Sequence, residues 1–140
     1  MNITFSDQKD FSFQQVKDLY SSVGWSVYTK DLPKLLRAIG NSNLVTSAWN
    51  SEELVGLIRV LTDGETIAYI QDILVKPGFQ GQGIGDELMT RMLAKLDGIR
   101  QIVLMTDAGD GNDRLHAWYQ THGFQPYDDL GVAGFAIFNS

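Results

Sequence analysis

The chain has 140 residues, of which 44% are hydrophobic and 20% charged, enough for one domain with a real core and little room for a second. Its formal net charge of −6, with basic residues scattered along the chain, argues against a nucleic-acid partner, and the absence of cysteine excludes disulfides, thiolate metal sites and thiol nucleophiles. The longest apolar run, 131–138, is far short of a bilayer span, and the opening residues show no basic-then-apolar leader. The expected setting is cytoplasmic, without a membrane partner.

Taken in order, Asn2 to Phe5 reads as a short strand. From Phe11 to Val23 the apolar residues Val16, Leu19, Tyr20 and Val23 fall at helical spacing, and Gly24 breaks that helix. A second helix is predicted from Pro33, capped by Asp31 and ending at Gly40. "NLVTSAW" and "ELVGLIRVL" read as strands joined by a hairpin over 50–53, and Asp63-Gly64 is a strong turn before the strand "TIAYIQDILV". Ile84, Leu88, Met89, Met92, Leu93 and Leu96 then mark one helix face, ended by Gly98. "QIVLMT" is a short apolar strand, and Asn112 or Asp113 can cap a helix reaching His122, with Gly123 as its stop. "FQPYDD" and "GVAGFAIF" are expected as two last strands. The sum is a mixed α/β layer structure.

The stretch "VKPGFQGQGIGDELM" places Gly78, Gly81, Gly83 and Gly85 among eight residues immediately before a helix. A Walker loop needs Lys followed by Ser or Thr, but Ile84 follows Gly83. A dinucleotide loop needs a third glycine where Asp86 stands. What remains is Gln80-x-x-Gly83-x-Gly85 between a strand and a helix. Bare backbone there can turn successive N–H groups into one anion-binding concavity, although the same glycines could serve a tight turn.

This pattern, preceded by "DILV" and followed at the proper distance by "AWYQTHGF" (117–124), resembles the GCN5-related N-acetyltransferases over essentially the whole chain. "LYSSVGWSVYTKDLPKLLRAIGNS", "GLIRVLTDG" and "YIQDILVKPGFQGQGIG" are similar to the plastid and cyanobacterial branch called serotonin N-acetyltransferase-like. The last of these also resembles glucosamine-6-phosphate N-acetyltransferase. The resemblance implies one domain, 1–140, with a mixed sheet of six to seven strands, about four flanking helices, and a splay between the fourth and fifth strands. It implies direct attack of a small primary amine on acetyl-CoA as cosubstrate, with no metal.

The residues follow from the same resemblance. Gln80, Gly81, Gln82, Gly83, Ile84 and Gly85 match the pyrophosphate loop, with Gln80 and Gln82 standing where basic residues are common. Ile73, Leu74 and Val75 match the strand segment along pantetheine, and Asn112 is grouped with the cofactor contacts. Tyr119 matches the tyrosine that protonates the departing thiolate, a role its ordinary pKa of about 10 suits. Candidates for removing the amine's proton are Asp72, Asp107, Tyr69 and His116, with His116 weighed more as a surface residue and His122 as a helix cap. Trp25, Tyr28, Tyr69 and Gln71 are expected to line the acceptor pocket, favouring an aromatic or aliphatic amine. Simple alternation puts Tyr69, Gln71 and Ile73 on one strand face and Asp72 on the other, unless a bulge intervenes. An exposed last strand can pair across a homodimer. The rival readings are an idle acyl-CoA-binding module and an enzyme of the same fold acting on a protein N-terminus or lysine.

Overall fold

The computed structural model describes residues 2–139, so Met1 and Ser140 of the expected domain lie outside the described residues. The chain divides into two compact units, Met1–Met105 and Thr106–Ser140. The first unit runs β1 (Ile3–Ser6), α1 (Phe13–Ser22), α2 (Ser26–Thr29), α3 (Leu32–Asn41), β2 (Leu44–Asn50), β3 (Glu53–Thr62), β4 (Ile67–Val75), α4 (Ile84–Lys95) and β5 (Gln101–Leu104). The second holds α5 (Asp113–Thr121) and one tight helical turn, Tyr127–Leu130. No helix among the described residues is long and apolar enough to cross a membrane.

The sheet has the order β1-β2-β3-β4-β5, antiparallel except for the parallel pair β4–β5. Helices α1 to α3 cover one face. There Val16, Leu19, Tyr20, Leu35 and Ile39 pack on Val45, Trp49, Leu57 and Leu74, in the register that the helical spacing predicts. Ser12 starts α1 through a reciprocal capping box with Gln15, and Asp31 caps α3 by accepting from the Lys34 amide. On the other face, α4 buries Ile84, Leu88, Met89 and Met92.

Two turns show why the strands pair as they do. Ser51 takes a left-handed φ of 57° in the tight β2–β3 connection. In the β3–β4 turn, Asp63 Oδ1 accepts from the amides of Glu65, Thr66 and Ile67. Its other oxygen accepts from the Thr66 hydroxyl, and these donors hold the carboxyl far below the usual carboxylate range.

The structure corrects the strand count. There are five strands and five helices among the described residues, because neither "FQPYDD" nor "GVAGFAIF" forms a strand. Tyr127–Leu130 coils into a turn, and 132–139 carries no regular structure. Phe135, Ile137 and Phe138 there are 98%, 88% and 83% exposed, so no ladder partner supports extended pairing. The one-turn helix α2, in what reads as a loop, is an addition. Among the described residues β5 pairs with Ile67 to Ile70 of β4 and not with 71–75.

The face assignment along β4 is also corrected. Arg59 pairs with Asp72 and Val60 with Ile70, so Gln71 is an extra residue in a β-bulge. Ile58 and Val60 share a face, which places their partners Ile73 and Ile70 together on the α4 side. Tyr69, opposite Leu61, shares the α1 side with Asp72, and the bulge brings Gln71 there as well.

Gly56 of β3 lies under α4, where a Cβ would stand 3.1 Å from Leu88 Cδ1 and 3.4 Å from Ile84 Cγ2. Gly56→Val should therefore overfill this contact and destabilise the fold by about 1–3 kcal/mol, read from the urea midpoint. An unchanged midpoint would show that α4 does not pack here as described.

Candidate active site

After β4, a tight turn over Pro77–Phe79 leads to Gln80, whose side-chain amide donates back to the Val75 carbonyl at 3.0 Å. Gln80 thus braces the glycine loop onto the strand end. Gly81 and Gly83 follow with φ of +80° and +83°, and a Cβ at either would meet nothing within 4 Å. Their glycines are therefore required by backbone conformation, not by a crowding neighbour. Gly83 is the N-cap of α4 and no side chain caps that helix. Helix bonding begins with Glu87 N–H to the Gly83 carbonyl, so the amides of Ile84 and Gly85 lie ahead of the first intrahelical acceptor. The loop is thus an open main-chain surface at the positive end of a twelve-residue helix. Asp86 and Glu87 in the first turn oppose that field, and Glu87 is partly neutralised by Arg91 at 2.7 Å.

A second feature sits at the β4 bulge. Asp72 is 2% exposed, and its carboxylate accepts from Arg59 Nε at 2.5 Å, Tyr20 Oη at 2.9 Å and Tyr28 Oη at 2.9 Å. Arg59, itself 5% exposed, also donates to Ser42 Oγ and to Tyr28 Oη. Burial disfavours the Arg59 charge, but the Asp72 carboxylate outweighs it and raises the guanidinium pKa. Burial and then the same carboxylate push the Tyr28 phenol up, and push Tyr20 well above the usual phenol range. Gln71 Nε2 donates to Tyr28 Oη at 2.9 Å. Trp25 completes the aromatic group, its ring 5.9 Å from Tyr20 and 6.1 Å from Tyr28.

Of the residues expected at the site, the structure thus brings together Trp25, Tyr28, Gln71 and Asp72. Asp72 is the residue whose setting differs most from expectation. Its two carboxylate oxygens are already taken up by three side-chain donors. Sequence reasoning missed Arg59, Tyr20 and Ser42. The signal for Arg59 was a lone guanidinium inside the apolar run "VGLIRVL", which a buried counter-ion must answer.

In the second unit, Tyr119 on α5 is half-buried and hydrogen-bonds the Thr106 side chain. Burial raises its pKa, and the Thr106 bond only partly offsets this. Asp107 is exposed, and its main-chain carbonyl accepts from His116 Nε2 at 2.7 Å, which fixes the proton on that nitrogen. Asn112 stands at the N-cap of α5 without capping it; its side chain donates to the Ala108 carbonyl at 3.3 Å instead. His122 is the C-cap residue with its ring edge-on to Trp118 at 4.7 Å, and Gly123 follows at φ +95° as the spacing predicts.

Comparison with known proteins bears on this arrangement directly. The profile of the Acetyltransferase (GNAT) family matches residues 11–124. A ycf52-like uncharacterized N-acetyltransferase of Prochlorococcus marinus is 32% identical over 87% of this chain and 72% of its own length. A histone acetyltransferase of Glycine max is 30% identical, covering 94% of this chain and 59% of that protein. Among solved structures, a GNAT family acetyltransferase of Streptococcus pneumoniae superposes with a TM-score of 0.84 and 29% identity, covering 99% of this chain and 98% of that one. The glycine loop opening a bare helix end, the half-paired fourth strand and the matched profile have one common account: the chain belongs to the GNAT family of acetyl-CoA-dependent N-acetyltransferases.

Proposed function

We propose that residues 1–140 act as one catalytic domain that moves the acetyl group of acetyl-CoA directly to a primary amine on a small aromatic or apolar molecule. The observation that carries the reading is the pair of left-handed glycines, 81 and 83, with open space above them and an uncapped helix behind. The amides of Gly81, Gln82, Gly83, Ile84 and Gly85 would hold the pyrophosphate, and main-chain groups of Ile73, Leu74 and Val75 the pantetheine arm. Asn112 would add a further contact. When bound, the cofactor supplies an acetyl group already activated as a thioester. With no basic side chain in the loop, phosphate affinity rests on amides and the helix dipole.

The chain's own chemistry is positioning and proton handling. Tyr119, its pKa raised by burial, keeps its hydroxyl proton through neutral pH and is assigned as the proton donor. Without cysteine, no thiol acyl-enzyme can form, which supports direct attack by the amine. Asp72 is engaged by three donors, so we assign removal of the amine's proton to exposed Asp107 or to water. Trp25, Tyr28, Tyr69 and Gln71 would line the acceptor side. A ring of ~150 Å2 buried against such aromatics at ~25 cal/mol per Å2 contributes a few kcal/mol. The similarity to a soybean histone acetyltransferase favours a second reading, in which a protein lysine is the acceptor.

Acetyl-CoA at a hundred times its dissociation constant should stabilise the fold by ~2.7 kcal/mol, seen as a rise in Tm. Gly83→Val, forcing a β-branched residue into a left-handed φ, should abolish the rise while the protein still folds. No rise for the wild type at millimolar acetyl-CoA refutes cofactor binding.

Tyr119→Phe keeps the ring and removes one hydroxyl. It should lower kcat by roughly a hundredfold with nearly constant cofactor affinity. In the same assay tryptamine or phenethylamine should be acetylated faster than glucosamine 6-phosphate or a lysine peptide. A kcat within twofold of wild type returns Tyr119 to packing; a peptide or phosphosugar that wins transfers the assignment to that acceptor.

The exposed tail supports a homodimer. Phe135, Ile137 and Phe138 leave roughly 500 Å2 of apolar surface uncovered per copy, and two copies reach the ~1,000 Å2 that a specific interface needs. The outer edge of β5 ends the sheet and can accept a strand from a second copy. Light scattering at micromolar concentration should give twice the 15.6 kDa chain mass, falling to one chain for Phe135→Asp/Ile137→Asp. A monomeric wild type at that concentration, or a dimer that survives the double substitution, rules out tail pairing.

A further inference from the structure

Helix α2 packs on the core of its unit through Tyr28, with Trp25 beside it at the N-cap. It has a single turn, Ser26–Thr29, none of its residues is fully buried, and Val27 is 75% exposed. No side chain caps it, and Gly24 before it takes a φ of +78° with open space around it, a conformation suited to a hinge. Four residues cannot sustain a helix by local bonding, so docking must stabilise it. That docking centres on Tyr28. Its ring meets Tyr20 edge-on at 5.4 Å, and its hydroxyl reaches the floor of the β4 bulge.

The hydrogen bonds at that hydroxyl are complete. A phenol has one proton to donate and two lone pairs to accept with. Tyr28 Oη donates to Asp72 Oδ1 at 2.9 Å and accepts from Gln71 Nε2 at 2.9 Å and Arg59 Nη2 at 3.4 Å. Asp72 in turn is fixed by Arg59 Nε and Tyr20 Oη, and Arg59 by Ser42, whose hydroxyl donates to the Ala38 carbonyl of α3. One phenol therefore ties α2 to α1, the end of α3, β3 and β4 at once. The network runs from a fully buried end at Tyr20 to an exposed end at Gln71.

We infer that the Tyr28 hydroxyl, seated on Asp72 and Gln71, is the latch that holds α2 in place as a wall of the amine site, and that Asp72 is a positioning residue acting through it. The link to the amine rests on the acceptor-site reading given above; the latch itself rests on the contacts alone. In this arrangement the β4 carboxylate serves affinity for the acceptor and not proton transfer. The bulge at Gln71 is what turns both latch partners toward the phenol.

Tyr28→Phe tests this, since it keeps the ring on Tyr20 and removes only the hydroxyl. Amides of 28–31, bonded within the α2 turn, should exchange with deuterium at least fivefold faster than in the wild type, while those of α1 change less than twofold. The KM for the amine should rise at least fivefold with the KM for acetyl-CoA within twofold. Asp72→Asn should give the same KM split and retain the acid limb of the kcat/KM profile at its wild-type pH. Exchange of 28–31 within twofold of wild type overturns the latch, whether or not any amine is turned over. Equal rises in both KM values, or loss of the acid limb in Asp72→Asn, overturn the positioning role. A wild type that shifts in Tm with acetyl-CoA but acetylates no amine refutes only the acceptor reading, and exchange still decides the latch.

Discussion

The buried pair of Arg59 and Asp72 is the constraint around which the first unit is arranged. Two opposite charges on adjacent strands, both almost wholly shielded from water, are tolerated only when every remaining donor and acceptor is met. Here they are met by Tyr20, Tyr28 and Ser42, each from a different part of the covering layer. No buried side-chain nitrogen or oxygen among the described residues lacks a partner. Such a network adds less to net stability than an apolar core of equal volume would, but its geometry admits few alternatives. It sets where α1, α2 and the end of α3 stand over the sheet, and it does so at the bulge.

The bulge links this core to the glycine loop. One extra residue in β4 reverses the faces on either side of it, so Ile70 and Ile73 point toward α4 while Asp72 points toward α1. Beyond Ile70, β4 also loses its parallel neighbour, which frees the edge of the segment running to Val75. The glycine loop then begins from a strand end fixed by Gln80 to the Val75 carbonyl and by the Lys76 amide to the Val55 carbonyl. A rigid strand end feeding a loop of open amides is a preorganised anion surface, and its rigidity comes from the sheet.

Much of this was legible in the chain. The Asp31 cap of α3, the Asp63-Gly64 turn, the α4 stripe and the Gly123 stop are local features, set by residues within one or two turns of one another. The glycine loop and the late "AWYQTHGF" helix carried the family for the same reason, because their chemistry is backbone conformation at fixed spacing. The two last strands were misread because "GVAGFAIF" has strand composition, and composition does not supply a ladder partner.

The sequence by itself determined the five strands, the apolar stripes of α1 and α4, and the glycine positions before α4, since each follows from periodicity and from positions that only glycine occupies freely. Tertiary structure alone decided what Asp72 is. Its partners lie 13, 44 and 52 positions away, and the face it occupies depends on one unpaired residue that alternation does not count. A carboxylate's chemistry is set by the donors around it, and here those donors converge only once the sheet and its helices have closed.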